Sequence, residues 1–255
     1  MAPLALVAAA LLGCSGISDP SAVAALDFTG IPFPAVVTGD SIRDSTGAAA
    51  PLRATAYDGN GTEIVGAPIA FFSLDTGLVI HADGHLVATK RDGTLRLVAT
   101  IAGLQSQIKT IRVTRRPDSL VAPTVTTIAF KYALPDGATN ATPALSFTLT
   151  SSDTVGALSP NVAGWVVRWR IVHAGDTLAA TDTSKFAMWD ADATRHSRRD
   201  TTATDGKSQR RVRIYANGLT PQPDSLILIA EVRSRGVQVP GSPIRFVVNI
   251  TPPGP

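Results

Sequence analysis

The sequence predicts an all-β protein of two sandwich domains in tandem. Three observations carry this. Beyond residue 35, apolar and polar residues alternate over short runs, the period of a strand with one buried face. Those runs are bounded by Gly, Pro, Asp and Asn, which supply the backbone angles of tight turns. The runs fall into two sets, separated at Arg115-Arg116-Pro117. The chain has 255 residues, room for two ordinary domains. Its 44% apolar and 17% charged residues suit a chain that folds around a core.

Residues 1–13 read as a signal peptide. The apolar run Leu4 to Leu12 is far short of the roughly 20 residues that span a bilayer. It fits the roughly 7–15 residues of a signal-peptide apolar region. Leu11-Leu12-Gly13-Cys14 resembles the lipobox of bacterial lipoproteins, and Cys14 is the only cysteine. The resemblance implies cleavage before Cys14, a lipid anchor on it and a place in the cell envelope. Ser15 in the next position favours the outer membrane. Acyl chains contribute roughly 0.8 kcal/mol per buried CH₂, so several hold a protein firmly. Residues 14–34, small and polar with Pro20, Pro32 and Pro34, read as a tether.

The first domain is expected over 35–116. Leu52, Ala54 and Ala56 share a strand face, and Asp58-Gly59-Asn60-Gly61 turns the chain. Ile69 and Phe71 share the next face. Leu86 and Ala88 follow the turn Asp83-Gly84. Leu95, Leu97, Ala99 and Ile101 alternate after Asp92-Gly93, and Ile111 with Val113 closes the set.

Four of these pieces, in order, resemble the bacterial Ig-like domain of group 2, found in intimin- and invasin-like surface proteins. Leu52-Arg53-Ala54-Thr55-Ala56-Tyr57-Asp58-Gly59-Asn60-Gly61 is similar to the family's Leu-x-Ala-x-x-x-Asp-x-x-Gly. Ala67-Pro68-Ile69-Ala70-Phe71-Phe72-Ser73 is similar to Val-x-Trp-x-Ser, with Phe71 in the Trp place. Gly84-His85-Leu86-Val87-Ala88 and Gly93-Thr94-Leu95-Arg96-Leu97-Val98-Ala99-Thr100 resemble its Gly-x-Val-x-Ala and Gly-Thr-Ala-x-Ile-x-Ala. The resemblance implies an Ig-like sandwich with a role in display, spacing or adhesion.

A second Ig-like sandwich is expected over 121–251. Ile128, Phe130 and Tyr132 alternate, as do Leu145, Phe147 and Leu149. Trp165, Val167, Trp169 and Ile171 form one face of a long strand, with Arg168 and Arg170 on the other. A Trp on the third strand of such a sandwich sits in the core. Val212 and Ile214, then Leu226 to Val232, then Ile244 to Ile250 complete the set.

The chemistry-bearing residues point away from catalysis. No Gly-x-Ser-x-Gly elbow occurs. His81 and His85 flank a turn, with no third His or Cys to make a zinc site. Asp190-Ala191-Asp192 begins like a calcium loop, without that motif's glycine and closing Glu. No catalytic residue, metal or cofactor is expected. Net charge is only +3, yet residues 195–213 hold seven cations against Asp200 and Asp205. Arg195, Arg198, Arg199, Lys207, Arg210, Arg211 and Arg213 form the candidate site for an anionic ligand. The competing role is to guard an exposed strand edge. Trp189 is a candidate sugar-stacking residue or a plug for one end of the sandwich. Nucleic acid is not an expected partner, since aromatic residues are not interleaved with the cations.

The expectation is therefore a non-enzymatic, lipid-anchored envelope protein. Its partners are the membrane, through lipid on Cys14, and an envelope polysaccharide or protein. The alternative is a periplasm-facing accessory subunit that binds a partner protein in an envelope assembly.

Overall fold

The computed structural model describes residues 22–90, 92–153 and 160–254, so Cys14 and the expected signal peptide lie outside it. The first domain runs through β1 (Ala25–Gly30), β2 (Ala35–Val37), β3 (Arg53–Tyr57), β4 (Ala70–Ser73), β5 (Leu78–Ile80), β6 (Leu86–Ala88), β7 (Gly93–Ile101), β8 (Leu104–Gln105) and β9 (Lys109–Thr114). One layer is the sheet β2-β9-β7-β4, with β8 folded back on β7. The facing layer consists of two ribbons, β1-β3 and β5-β6. Leu95, Leu97, Ala99, Ile111 and Val113 of the sheet meet Phe28, Ile42, Leu52 and Leu86 in one core.

The second domain comprises β10 (Ser119–Val121), β11 (Thr127–Lys131), β12 (Leu145–Thr150), β13 (Val166–His173), β14 (Asp176–Thr177), β15 (Phe186–Trp189), β16 (Arg199–Thr201), β17 (Lys207–Ile214), β18 (Asp224–Glu231), β19 (Arg233–Ser234), β20 (Val237–Gln238) and β21 (Ile244–Thr251). Its two main sheets are β10-β12-β17-β15 and β11-β21-β18-β13-β14, with β16 also on β13, and β19-β20 form a separate ribbon. In both domains an early short strand lies parallel to the last one. These pairs are β2 with β9 and β11 with β21. That sheet order is Ig-like. The expected alternation holds: Trp165, Val167, Trp169 and Ile171 are buried, as are Leu226, Leu228, Ala230 and Val232. Trp169 packs between Phe147, at 5.8 Å, and Phe246, at 5.9 Å.

The segment expected to be tether is corrected by β1. Ala25, Leu26 and Asp27 pair with Tyr57, Ala56 and Thr55 of β3. Phe28 is only 1% exposed, and its ring lies 5.4 Å from that of Phe71. The domain therefore needs residues well before 35. Phe71 is the residue in the family's Trp place, and its smaller ring is met by Phe28.

The two domains are joined by a packed and charged contact. Val36 of β2 enters the first core, while Ala35 and Val37, on the other face, pack against the second. Phe33 lies 5.0 Å from Trp165, whose indole N–H donates to the Arg233 carbonyl at 2.9 Å. Asp40 accepts from both Nε and Nη2 of Arg235, at 2.9 and 2.7 Å, and from Arg43. Gly47 presses on Arg235 and Gly236 so closely that a Cβ there would lie 2.2 Å from the Arg235 carbonyl carbon. Its φ of +95° also favours glycine.

Burial pushes the Asp40 carboxyl up, but the Arg43 and Arg235 guanidiniums outweigh burial and hold it below its ordinary value. The closed joint thus prefers the ionised form. Its contribution is complete above the ordinary carboxylate pKa of about 3.9 and is lost as pH falls through the lowered value. Hydrogen-exchange protection across the joint should therefore hold from neutrality down to about pH 4 and fall below it. Asp40→Asn should loosen the joint at neutral pH and abolish that acid step. Phe28→Ala should cost the first domain about 3–5 kcal/mol in denaturant unfolding. A chain that begins at residue 35 should fail to fold that domain at all.

Candidate functional site: an arginine face on the second domain

The basic stretch divides according to its register in the sheet. Strand β17 lies between β12 and β15, so its cations do not guard an edge. Ser208, Arg210, Val212 and Ile214 all turn inward and are buried. The expectation that Arg210 offers a surface charge is therefore corrected: it is 3% exposed. Its guanidinium lies 3.1 Å from Asp200 and donates to the carbonyls of Ser197, Gln209 and Arg199. A cation this deep persists only when its donors are satisfied.

Arg213 does lie on the face opposite Val212, as its position in the sequence requires, but that face is covered. It is 6% exposed, pairs with Asp136 at 3.0 Å and donates to the carbonyls of Asn140 and Ile214. Its guanidinium lies 4.7 Å above the Tyr215 ring. Arg198 donates to the carbonyls of Leu178 and Ala179 at 2.6 and 2.5 Å. Burial pulls its pKa below the ordinary arginine value. These three arginines serve the fold.

Arg195, Arg199 and Lys207 are exposed, and Arg211 is half-buried. Lys207 pairs with Asp205 at 3.4 Å. Arg211 stands opposite Trp189 in the β15–β17 ladder. Trp189 packs against His196 at 5.2 Å. The Asp190 carboxylate accepts from the Thr194 backbone and hydroxyl, each at 2.8 Å, which closes a tight turn. His85 lies 3.1 Å from Asp83 at a hairpin tip, and His173 lies 2.8 Å from Asp224.

The structure instead gathers Arg199 with cations from other strands. Arg168 of β13 is the direct cross-strand partner of Arg199 in β16. Arg170 follows two residues along the same exposed face of β13. Arg245 of β21 lies in the same row, across Ile229 of β18. All four arginines are exposed. The carboxylate within this group is Glu231, the other neighbour of Arg168. Arg233 holds it at 2.6 Å, and that hydrogen bond, aided by the charge of Arg170, keeps its pKa below the ordinary value. Strands about 4.8 Å apart place the four guanidiniums on one patch of the outer sheet. The like-charged pair Arg168–Arg199 is destabilising by itself. An anion laid across the face would relieve it. The sequence reading missed Arg245 because no local pattern ties it to a strand far away in the chain.

Arg210→Ala should destabilise the second domain by about 3 kcal/mol, since it removes a buried guanidinium and leaves the half-covered Asp200 without its cation. Arg199→Ala should leave stability within about 0.5 kcal/mol or raise it. Urea unfolding of the two variants side by side checks both.

Comparison with known proteins leaves the reading of this site to its own geometry. No family model matches the chain, and no curated protein matches it significantly. Among solved structures, the adhesin InvE of Yersinia pseudotuberculosis is similar over 85% of this chain, with 16% identity and a TM-score of 0.35. The chain spans 56% of that adhesin structure. Domains 4 and 5 of the S-layer protein SbsC align over 90% of this chain and 98% of theirs, with 11% identity and a TM-score of 0.32. The D0-D1 domain of intimin aligns over 90% of this chain and 98% of its own, with 14% identity and a TM-score of 0.27.

Proposed function

We propose that the chain is a non-enzymatic, lipid-anchored module of the cell envelope that presents its second sandwich to an acidic polysaccharide. The observation that carries the ligand class is the outer face of β13, β16 and β21, where Arg168, Arg170, Arg199 and Arg245 stand exposed with Arg168 directly opposite Arg199. Four charges spread over three strands of one sheet face suit an extended polyanion better than a small ligand, which is held in a concave site. The clamped joint supports the display part of the reading. It makes the first domain a stiff spacer between the Cys14 anchor and this face.

Cys14→Ser should move the protein from the membrane fraction to the soluble one; persistent membrane association would count against the anchor. Protease treatment of intact cells should release peptides from 160–250. Release only after the outer membrane is opened would favour the periplasm-facing accessory subunit instead. Arg168→Gln with Arg199→Gln should weaken binding to an acidic polysaccharide several-fold, at up to about 1 kcal/mol for each exposed ion pair.

A further inference from the structure

Strand β4 ends the five-stranded sheet of the first domain, and its outer edge pairs with no strand among the described residues. Edges of this kind invite pairing and are normally blunted by Lys, Pro, bulges or brevity. Other edges here follow that rule: β14 has two residues, β10 has three, and β11 carries Lys131. Strand β4 is itself only four residues long and Pro68 precedes it, but no charged residue lies between Glu63 and Asp75. Phe72 is 53% exposed and Leu74 44%.

Both faces of this edge are unfinished. Outward, Phe72 stands opposite Val98 of β7. The register of β7 on β9 continues the row toward Ile108, which is 54% exposed. Inward, Ile69 and Phe71 line an open cleft with Leu52, Ala54 and Ala67.

We infer that β4 pairs with β4 of a second copy of this chain, antiparallel about a two-fold axis at Phe72. The backbone already satisfies the parity this requires. Leu74 donates its N–H to the Arg96 carbonyl at 2.9 Å. In an antiparallel ladder the groups of Phe72 and Ala70 then also face β7, and those of Phe71 and Ser73 face outward. A two-fold axis at Phe72 sets Phe71 against the partner's Ser73 as a hydrogen-bonded pair, twice over. Phe72 then meets the partner's Phe72 as a non-hydrogen-bonded pair, the closer kind. Ala70 meets the partner's Leu74, so every outward contact is apolar. No like charges are brought opposite one another, because the paired segment has none. The two sheets become one, and the row from Ile108 to Phe72 runs on into the partner's row. A junction of so few residues falls below the roughly 1,200 Å² of a standard interface. The dimer is therefore weak and forms where copies are crowded.

The test uses the full chain carrying Cys14→Ser, so that an added thiol stands alone. Sedimentation should show a concentration-dependent dimer by about 500 µM, within reach of a Kd in the micromolar range. Phe72→Lys should return it to monomer with an unchanged circular dichroism spectrum. Phe72→Cys should form a covalent dimer under mild oxidation, since Cα atoms about 4.5 Å apart at such a pair lie within disulfide reach. Thr110→Cys, on the same outer face but away from the edge, should remain monomeric under that treatment. A wild-type chain that sediments as monomer throughout would overturn the proposal. So would a dimer indifferent to Phe72→Lys, or crosslinking no faster at residue 72 than at 110.

Discussion

The indole N–H of Trp169 donates to Ser208 at 3.0 Å, Ser208 donates to Asp200 at 2.7 Å, and Asp200 pairs with Arg210 at 3.1 Å. This largely buried relay runs from β13 in one sheet of the second domain to β17 in the other, with the half-covered Asp200 of β16 between them. A chain with a single cysteine cannot tie two sheets together with a disulfide. Here aromatic packing around Trp169 fills the middle of the sandwich, and the relay fixes its register. Each polar group in it has a partner, the condition under which such a network specifies one arrangement rather than weakening the core. The same relay removes Arg210 from the surface, and so limits which cations remain for a ligand.

The fold was legible where burial is one-sided. Strand β13 announces itself through Val167, Trp169 and Ile171 on one face, in line with Trp165 just before it, and Arg168 and Arg170 on the other. Strand β1 was obscured because Leu26 and Phe28 sit in a short segment bounded by Pro20 and Pro32, and proline weighs against a strand. The site was less legible for two reasons. Alternation says which side of a strand a residue takes, but not whether that side is covered, and this is how Arg213 passes for a surface charge. Nor does a linear count reveal that Arg199 and Arg245 share a face.

The joint between the domains depends on a strand with two commitments. Because side chains alternate, β2 can give Val36 to one core and Ala35 and Val37 to the other. Beyond it the chain changes layers at Gly39, where Thr38 still bonds to Thr114 and Gly39 already bonds to Ala88. Bridges at Thr38–Ala88 and Ser41–Val87 then tie this segment to β6, so the chain leaving β2 enters the second layer beside the β5-β6 ribbon. Interdomain packing and local folding are one event over these residues.

The parallel pairs have a mechanical consequence. In each domain an early strand runs alongside the last one in the same direction: three register pairs for β2 and β9, five for β11 and β21. Tension applied through the two ends of the chain pulls these neighbours lengthwise past each other. The hydrogen bonds between them are then loaded together instead of parting one by one. A protein held at one end and pulled at the other would resist as a clasp does, and the five-pair clasp in the second domain would yield after the three-pair clasp in the first.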